Sequence, residues 1–304
     1  MMKFDHSPIT LHHFDSLPFF LKRDDQLHPH FSGNKARKLR FLLEQDHPNI
    51  TTLISYGSAQ SNTLYSLAAL AQLKGWRCEF YVDRIAPWLQ QHPNGNYQAA
   101  LALGAHIYDV SSLSSSAISA ADYIQQQRQP GADCFVIEEG GRHPNAEYGV
   151  QQLGNEILAW ASSQWQDFHR RELVVALPAG TGTTALYLHK TLKPHGISVL
   201  TCPCVGGADY LTQQFHALGE HDHPTILTLD HKHHFGRLYL EDYRIWQALY
   251  AQTGVEFDLL YDPMMWRCLR HWRQTHPNKT LCYIHQGGIL GNRTMLPRYQ
   301  RKFG

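Results

Sequence analysis

The sequence predicts an α/β protein with two domains of open, twisted, mostly parallel sheet and helices on both faces, and two observations lead there. Short runs rich in β-branched and aromatic residues recur: TTLISY (51–56), CEFYV (78–82), HIYDV (106–110), CFVIE (134–138), LVVALP (173–178), ISVLTC (197–202), TILTL (225–229) and LCYIH (281–285). Longer segments with helical spacing separate them, and these provide the crossovers that parallel strands require.

The helix after the first run shows the pattern. Leu64, Leu67, Ala68 and Ala71 fall at i, i+3, i+4 and i+7 between Thr63 and Lys74, and Gly75 follows as a C-terminal stop. No internal repeat or Pro/Gly-rich linker divides the 304 residues, and SSLSSS (111–116) and QQQRQ (125–129) read as loop and helix surface. With 43% hydrophobic residues the chain can bury a substantial core. The 27 Lys+Arg against 26 Asp+Glu leave a net charge of +1, so no global field draws nucleic acid or an anionic membrane. A small neutral or zwitterionic partner is expected. Six cysteines without a paired framework suit a reducing compartment, by default the cytoplasm. No stretch approaches the roughly 20 apolar residues of a spanning helix, and MMKFDHSPITLHHF has no signal-peptide pattern.

Four segments have the composition of a reactive site. In Phe31-Ser32-Gly33-Asn34-Lys35-Ala36-Arg37-Lys38-Leu39-Arg40, Asn34 is expected to cap a helix whose Ala36, Leu39 and Leu43 face inward. Lys35 then lies in the first turn, where the helix dipole disfavours a cation, so a covalent role would explain its position. The alternative is a solvated basic face of Lys35, Arg37, Lys38 and Arg40. Next comes Ser58-Ala59-Gln60-Ser61-Asn62-Thr63, opening the Thr63 helix, where either serine can cap. Capping leaves Gln60, Ser61 and Asn62 together unexplained.

The third segment is LVVALP followed by Ala179-Gly180-Thr181-Gly182-Thr183-Thr184 and a helix. Backbone N–H groups of a Gly-rich turn at a helix start form an anion site, suited to a phosphate. The Gly180-x-Gly182-x-x-Ala185 spacing also fits a dinucleotide turn, but the next strand ends at Thr201 to Cys204 without the acidic residue that reading needs. A plain tight turn is the remaining alternative. The fourth segment is LCYIH with Gln286-Gly287-Gly288, and carboxyl ends of strands in open sheets converge on ligands.

In order, Ser32-Gly33-Asn34-Lys35-Ala36-Arg37-Lys38-Leu39, Gln60-Ser61-Asn62, Glu139-Gly140-Gly141, Gly180-Thr181-Gly182-Thr183 and His285-Gln286-Gly287-Gly288 make the chain resemble the D-cysteine desulfhydrases and 1-aminocyclopropane-1-carboxylate (ACC) deaminases. These enzymes depend on pyridoxal 5′-phosphate and have the tryptophan-synthase-β-like fold (fold type II). The match runs from about Phe20 to about Asn292, with little of it in Gly206 to Arg237. The resemblance implies a large cofactor-binding domain of residues 1–41 and 141–304, a small domain of residues 42–140, and a homodimer. It implies that Lys35 carries the cofactor as a Schiff base and, once released, acts as a base at the substrate Cα. Asn62 would meet the pyridoxal O3′, and Gly180, Thr181, Gly182, Thr183 and Thr184 would hold the phosphate. Ser61 would lie beside the substrate carboxylate and Cα, Tyr261 would be the family's active-site tyrosine, and Gln286 would lie near the pyridine nitrogen. The expected reaction is conversion of D-cysteine or a related amino acid to pyruvate, ammonia and hydrogen sulfide. ACC deamination is one alternative, and a non-catalytic cofactor-binding or regulatory protein is another.

Three departures bear on that choice. Tyr261-Asp262-Pro263 stands where deaminases of ACC resemble Tyr-Glu-Gly and desulfhydrases Tyr-Ser/Thr-Gly; Asp262 with Pro263 also reads as a helix N-cap. Gln286 replaces leucine or threonine, and as a neutral amide it can only hydrogen-bond the ring nitrogen, which suits elimination over transamination. Thr63 replaces a histidine. The segments His221-Asp222-His223 and His231-Lys232-His233-His234 and the Cys202-Pro203-Cys204 pair lack structural-zinc spacing, so no metal is expected and the two cysteines read as buried.

Overall fold

The computed structural model describes residues 4–114, 116–165 and 172–304. Ser115, inside the serine run noted above, lies outside the described residues. Four parallel strands form one sheet in the order β5-β4-β3-β6: β3 (Thr52–Tyr56), β4 (Arg77–Val82), β5 (His106–Asp109) and β6 (Cys134–Ile137). A six-stranded sheet has the order β1-β2-β10-β7-β8-β9, from β1 (Ile9–Phe14), β2 (Leu17–Lys22), β7 (Leu173–Ala179), β8 (Ser198–Pro203), β9 (Thr225–Ile226) and β10 (Thr280–Ile284). Among the strands of the described residues only β1 and β2 pair antiparallel.

Periodicity located eight of these strands because each is a compact apolar run between helices. The β1–β2 hairpin escaped it. Its turn is Asp15-Ser16, both at positive φ (52° and 63°), a geometry that matches strand twist but lacks the usual Asn-Gly or Asp-Gly signal. TILTL is also shorter than expected: after Ile226 only the Leu227 N–H still bonds across, to the Thr201 carbonyl at 2.7 Å, and Leu227 and Leu229 turn into the core. Every residue of β7 is buried, as expected for a central parallel strand covered on both faces.

The Lys35 segment differs from its expected form. The helix spans Gly33–Lys38, is entered from Ser32, breaks at Leu39 (ψ 8°) and resumes over Arg40–Glu44. Asn34 is therefore inside the helix, and its side chain goes elsewhere. Nor is this a solvated basic face, since Arg37, Lys38 and Arg40 are all buried. Arg37 is fully enclosed. Its Nε and Nη2 donate to Asp24 at 2.9 and 2.8 Å, and its Nη1 and Nη2 donate to Glu156 at 2.6 and 2.8 Å. Lys22 Nζ adds a 2.5 Å pair to Glu156 and a 2.6 Å bond to the Ser7 carbonyl, while Ser7 Oγ donates to Asp24 at 2.6 Å. Two cations thus face two carboxylates. Burial by itself would raise the Glu156 carboxyl, but Arg37 and then Lys22 hold it down at about 2.

Removing one member leaves a buried charge unpaired. Arg37→Met is expected to cost about 3–5 kcal/mol in urea unfolding at neutral pH. The Glu156 contribution is present above its unfolded value and lost as pH falls toward about 2, so the gap between wild type and variant should narrow on acidification. An unchanged midpoint for Arg37→Met would show that the network contributes nothing to stability.

Candidate active site

The Lys35 segment is also held from the carboxyl end of β10. The Asn34 N–H donates to the Gln286 carbonyl at 3.1 Å, and Asn34 Nδ2 donates to Gln286 Oε1 at 3.0 Å. Gln286 Nε2 donates to the Pro178 carbonyl at 2.6 Å, so both ends of that amide are engaged by protein. Gly33 is required here: its φ is +65°, and a Cβ would overlap the Gln286 carbonyl oxygen. His285 beside it is a buried structural group, with Nε2 on the Glu256 carbonyl at 2.7 Å and Nδ1 accepting from the Gly287 N–H at 3.1 Å.

Lys35 is half-buried overall, with its amine enclosed and Nζ donating to Asn34 Oδ1 at 3.2 Å. Burial lowers its amine to about 8, against the opposing pull of the Asp258 charge. Asp258 comes from the stretch before the Asp262–Thr275 helix. Its Oδ2 accepts from Asn62 Nδ2 at 3.0 Å and its Oδ1 from the Leu260 N–H at 2.7 Å. Burial raises this carboxyl to about 6, while its hydrogen-bond donors and Lys35 oppose the rise. Asn62 is the first residue of the Asn62–Lys74 helix, which Ser61 caps by accepting from the Leu64 N–H at 3.2 Å. Ser61 Oγ thus has the structural task the sequence allowed.

The glycine–threonine turn closes the other side. Gly182 (φ +75°) precedes the Thr183–Leu192 helix, and Thr181 and Thr183 hydroxyls lie 3.3 Å apart. Gly140 packs on the Thr181 side chain, and the adjoining Gly141 faces Lys35 and Lys38. A Cβ at Gly180 would lie 3.6 Å from the Tyr261 hydroxyl, so Tyr261 borders this turn. Burial, with the Asp258 charge next, raises Tyr261 and keeps it a neutral phenol. Lys38, which the sequence did not single out, is buried, and its Nζ donates to the Gly140 carbonyl. Burial and the Lys35 charge lower its amine, and no ion pair neutralises it among the described residues. Asp262 is not the helix cap expected of it. It is the first helical residue, and its carboxyl turns back to accept from the Asp258 N–H at 2.8 Å and the Tyr283 hydroxyl at 2.5 Å.

A model of the pyridoxal-phosphate dependent enzymes matches residues 6–257, more than half of the chain. This protein belongs to that family. It is 24% identical over 326 aligned residues to the mitochondrial bifunctional D-cysteine desulfhydrase/1-aminocyclopropane-1-carboxylate deaminase of Arabidopsis thaliana, covering 94% of this chain and 77% of that protein. It is 27% identical over 141 residues to a D-cysteine desulfhydrase of Serratia proteamaculans, covering 45% and 43% of the two chains. The solved structure of an ACC deaminase homologue superposes with a TM-score of 0.73 at 19% identity, over 97% of this chain and 93% of that one. The fold is therefore that of the fold-type-II pyridoxal-phosphate enzymes.

The residues present fit the cofactor. The buried Thr184 hydroxyl, in the first turn of the Thr183–Leu192 helix, has no hydrogen-bond partner among the described residues, as a phosphate seat requires. The enclosed amine of Lys35 answers an aldehyde. Asp258 and Lys38 are the members of this site that sequence reasoning missed. A buried acid and a buried lysine have no local signature; the only hint for Lys38 was its place three residues after Lys35.

The pH dependence follows from the Lys35 environment, where Asp258 and Lys38 are the facing charges. The neutral amine is the nucleophile, and its fraction grows as pH rises through about 8. Stopped-flow capture of pyridoxal phosphate by cofactor-free protein should accelerate through that pH and level off above it. A rate flat from about pH 6 to about pH 10 would contradict this assignment.

Proposed function

We propose that the chain is a deaminating lyase that converts D-cysteine, or a closely related small amino acid, with water to pyruvate, ammonia and hydrogen sulfide. The observation that carries the reading is the enclosed Lys35 amine, lowered to about 8 by burial, facing the charge of Asp258 that Asn62 holds and lying beside Gly141, whose neighbour Gly140 packs on Thr181. Pyridoxal phosphate, when bound, supplies the electron sink for carbanion chemistry at the amino acid Cα. Lys35 would hold the cofactor, and its free Nζ would take the proton from the substrate Cα; an amine near neutrality serves that task better than a surface lysine. Thr181, Thr183, Thr184, Gly180 and Gly182 hold the phosphate, with Lys38 as counter-charge. Asn62 binds the ring oxygen. Tyr261, a neutral phenol beside Gly180, is available to pass a proton to the departing sulfur. Ser61 keeps the Asn62 helix start in place and presents its hydroxyl hydrogen to the substrate side. Gln286, tied to Asn34 and Pro178, positions the Lys35 segment and leaves its second amide proton for the ring.

Residues 42–140, which contain the four-stranded sheet, act in this reading as the small domain, and residues 1–41 and 141–304 as the large one. The six cysteines are all free thiols, which supports a reducing, cytoplasmic setting. A homodimer completes the proposal. The names of the relatives also favour ACC as a substrate. Asp262, an acid where the ACC deaminases resemble Tyr-Glu-Gly, is directed at Tyr283 and Asp258 and does not carry that reading.

Two measurements test the assignment. Pyruvate release should appear with D-cysteine in a panel including D-serine, L-cysteine and ACC, and Lys35→Ala should lose both release and the visible absorption of bound cofactor while still folding. Silence across the panel would remove the enzyme reading. Lys38→Met should weaken pyridoxal phosphate about tenfold or more and leave pyridoxal, which lacks the phosphate, nearly unchanged. Equal losses for the two ligands would place Lys38 outside the phosphate seat.

A further inference from the structure

Asp258 uses its two carboxylate oxygens on two different donors: Oδ1 on the Leu260 N–H and Oδ2 on Asn62 Nδ2. The Asn62 amide is thereby fixed in one of its two orientations. Its own Oδ1 accepts from Asn96 Nδ2 at 2.8 Å, and Asn96 Nδ2 gives its other proton to the Gln60 carbonyl at 2.9 Å. Turning the Asn62 amide over would set oxygen against carboxylate and NH2 against NH2. In the orientation present, one Nδ2 proton is taken by Asp258 and the second is left for a ligand.

Asp258 is itself immobilised. Its N–H donates to Asp262 Oδ2, and that carboxyl is held by the Tyr283 hydroxyl. Asn292 grips the neighbouring backbone on both sides, accepting from the Leu259 N–H at 2.8 Å and donating to the Phe257 carbonyl at 2.8 Å. Gly288 (φ +82°) closes over the pair, where a Cβ would overlap Asn62 Nδ2 and come within 2.9 Å of Asp258 Oδ2.

We propose that Asp258 is a positioning residue that holds the Asn62 amide with one Nδ2 proton presented to the cofactor ring, and that only a carboxylate can do this at position 258. The inference rests on the assignment of Asn62 as a cofactor ligand. Both of Asp258's donors are held in place, one by the backbone and one by Asn96. Asp258→Asn offers a single carbonyl oxygen to two donors, so it must abandon one of them and set its own NH2 against an N–H. A residue of nearly equal volume is therefore not an adequate replacement.

The test is a double-mutant cycle in equilibrium binding of pyridoxal phosphate to the full chain stripped of cofactor, read by tryptophan fluorescence. Asp258→Ala and Asp258→Asn should each weaken binding about tenfold or more, as loss of a charge-assisted hydrogen bond does. With Asn62→Ala already present, neither should weaken it further, because Asp258 acts through Asn62. Binding unchanged in the single variants, or losses that multiply in the double variants, overturns the role of Asp258 and leaves the site assignment standing. Failure of the wild-type chain to bind pyridoxal phosphate overturns both. If Asp258→Ala does not fold, the near-isosteric Asp258→Asn reads the same cycle.

Discussion

Placement of the Lys35 segment depends on the buried guanidinium of Arg37. Arg37 lies two residues beyond Lys35 and is bonded to Asp24 on one side and Glu156 on the other. These partners join the stretch after β2, the Lys35 helix and the Ala146–Gln164 helix. Such a network is costly to desolvate, and its net stabilisation is small compared with the penalty for breaking it. Its effect is to admit one register, because any slip of the helix would strand a charge. At the other end of the same short helix, Asn34 is bonded through both backbone and side chain to Gln286. Lys35 is fixed between the two.

The electrostatics of the cleft follow from that placement. Burial lowers the proton affinity of both Lys35 and Lys38, and the Lys35 charge lowers that of Lys38 further. Asp258 and Asp262 form the opposing pair, both raised by burial, with Asp262 at about 8 and Asp258 at about 6. The acid nearer Asn62 and Lys35 is thus the more readily ionised, and the one turned toward Tyr283 is the more readily protonated. Both carboxyls are moved the same way but by different amounts, which leaves two acids of unequal strength side by side.

The stretch where the family resemblance lapses, Gly206 to Arg237, reaches the cleft through Phe235, whose ring lies 5.1 Å from that of Tyr261. Just before it, His233 is anchored to the buried Asp242 at 2.7 Å. This stretch therefore adjoins the site through the contact of Phe235 with Tyr261.

The sequence by itself determined the α/β alternation, eight of the ten strands among the described residues, the helix after β3 with a serine cap and the Gly75 stop, and the order of the glycine-rich turns; the structure chose Ser61 over Ser58 as the cap. These features are local: burial periodicity, capping and turn chemistry act over a few residues and can be read from them. Only the tertiary structure decided that Arg37 and Lys38 are buried, that Asn34 serves Gln286 and not its own helix, that Asp262 faces Tyr283, and that Asp258 lies against Asn62. The contacts responsible span long sequence separations, 196 residues for Asn62–Asp258 and 252 for Asn34–Gln286. Desolvation and hydrogen-bond partnership depend on what the fold brings alongside a residue, and a charged side chain looks the same in sequence whether water or protein surrounds it. The lysine was legible from its motif; the carboxylate opposite it was not.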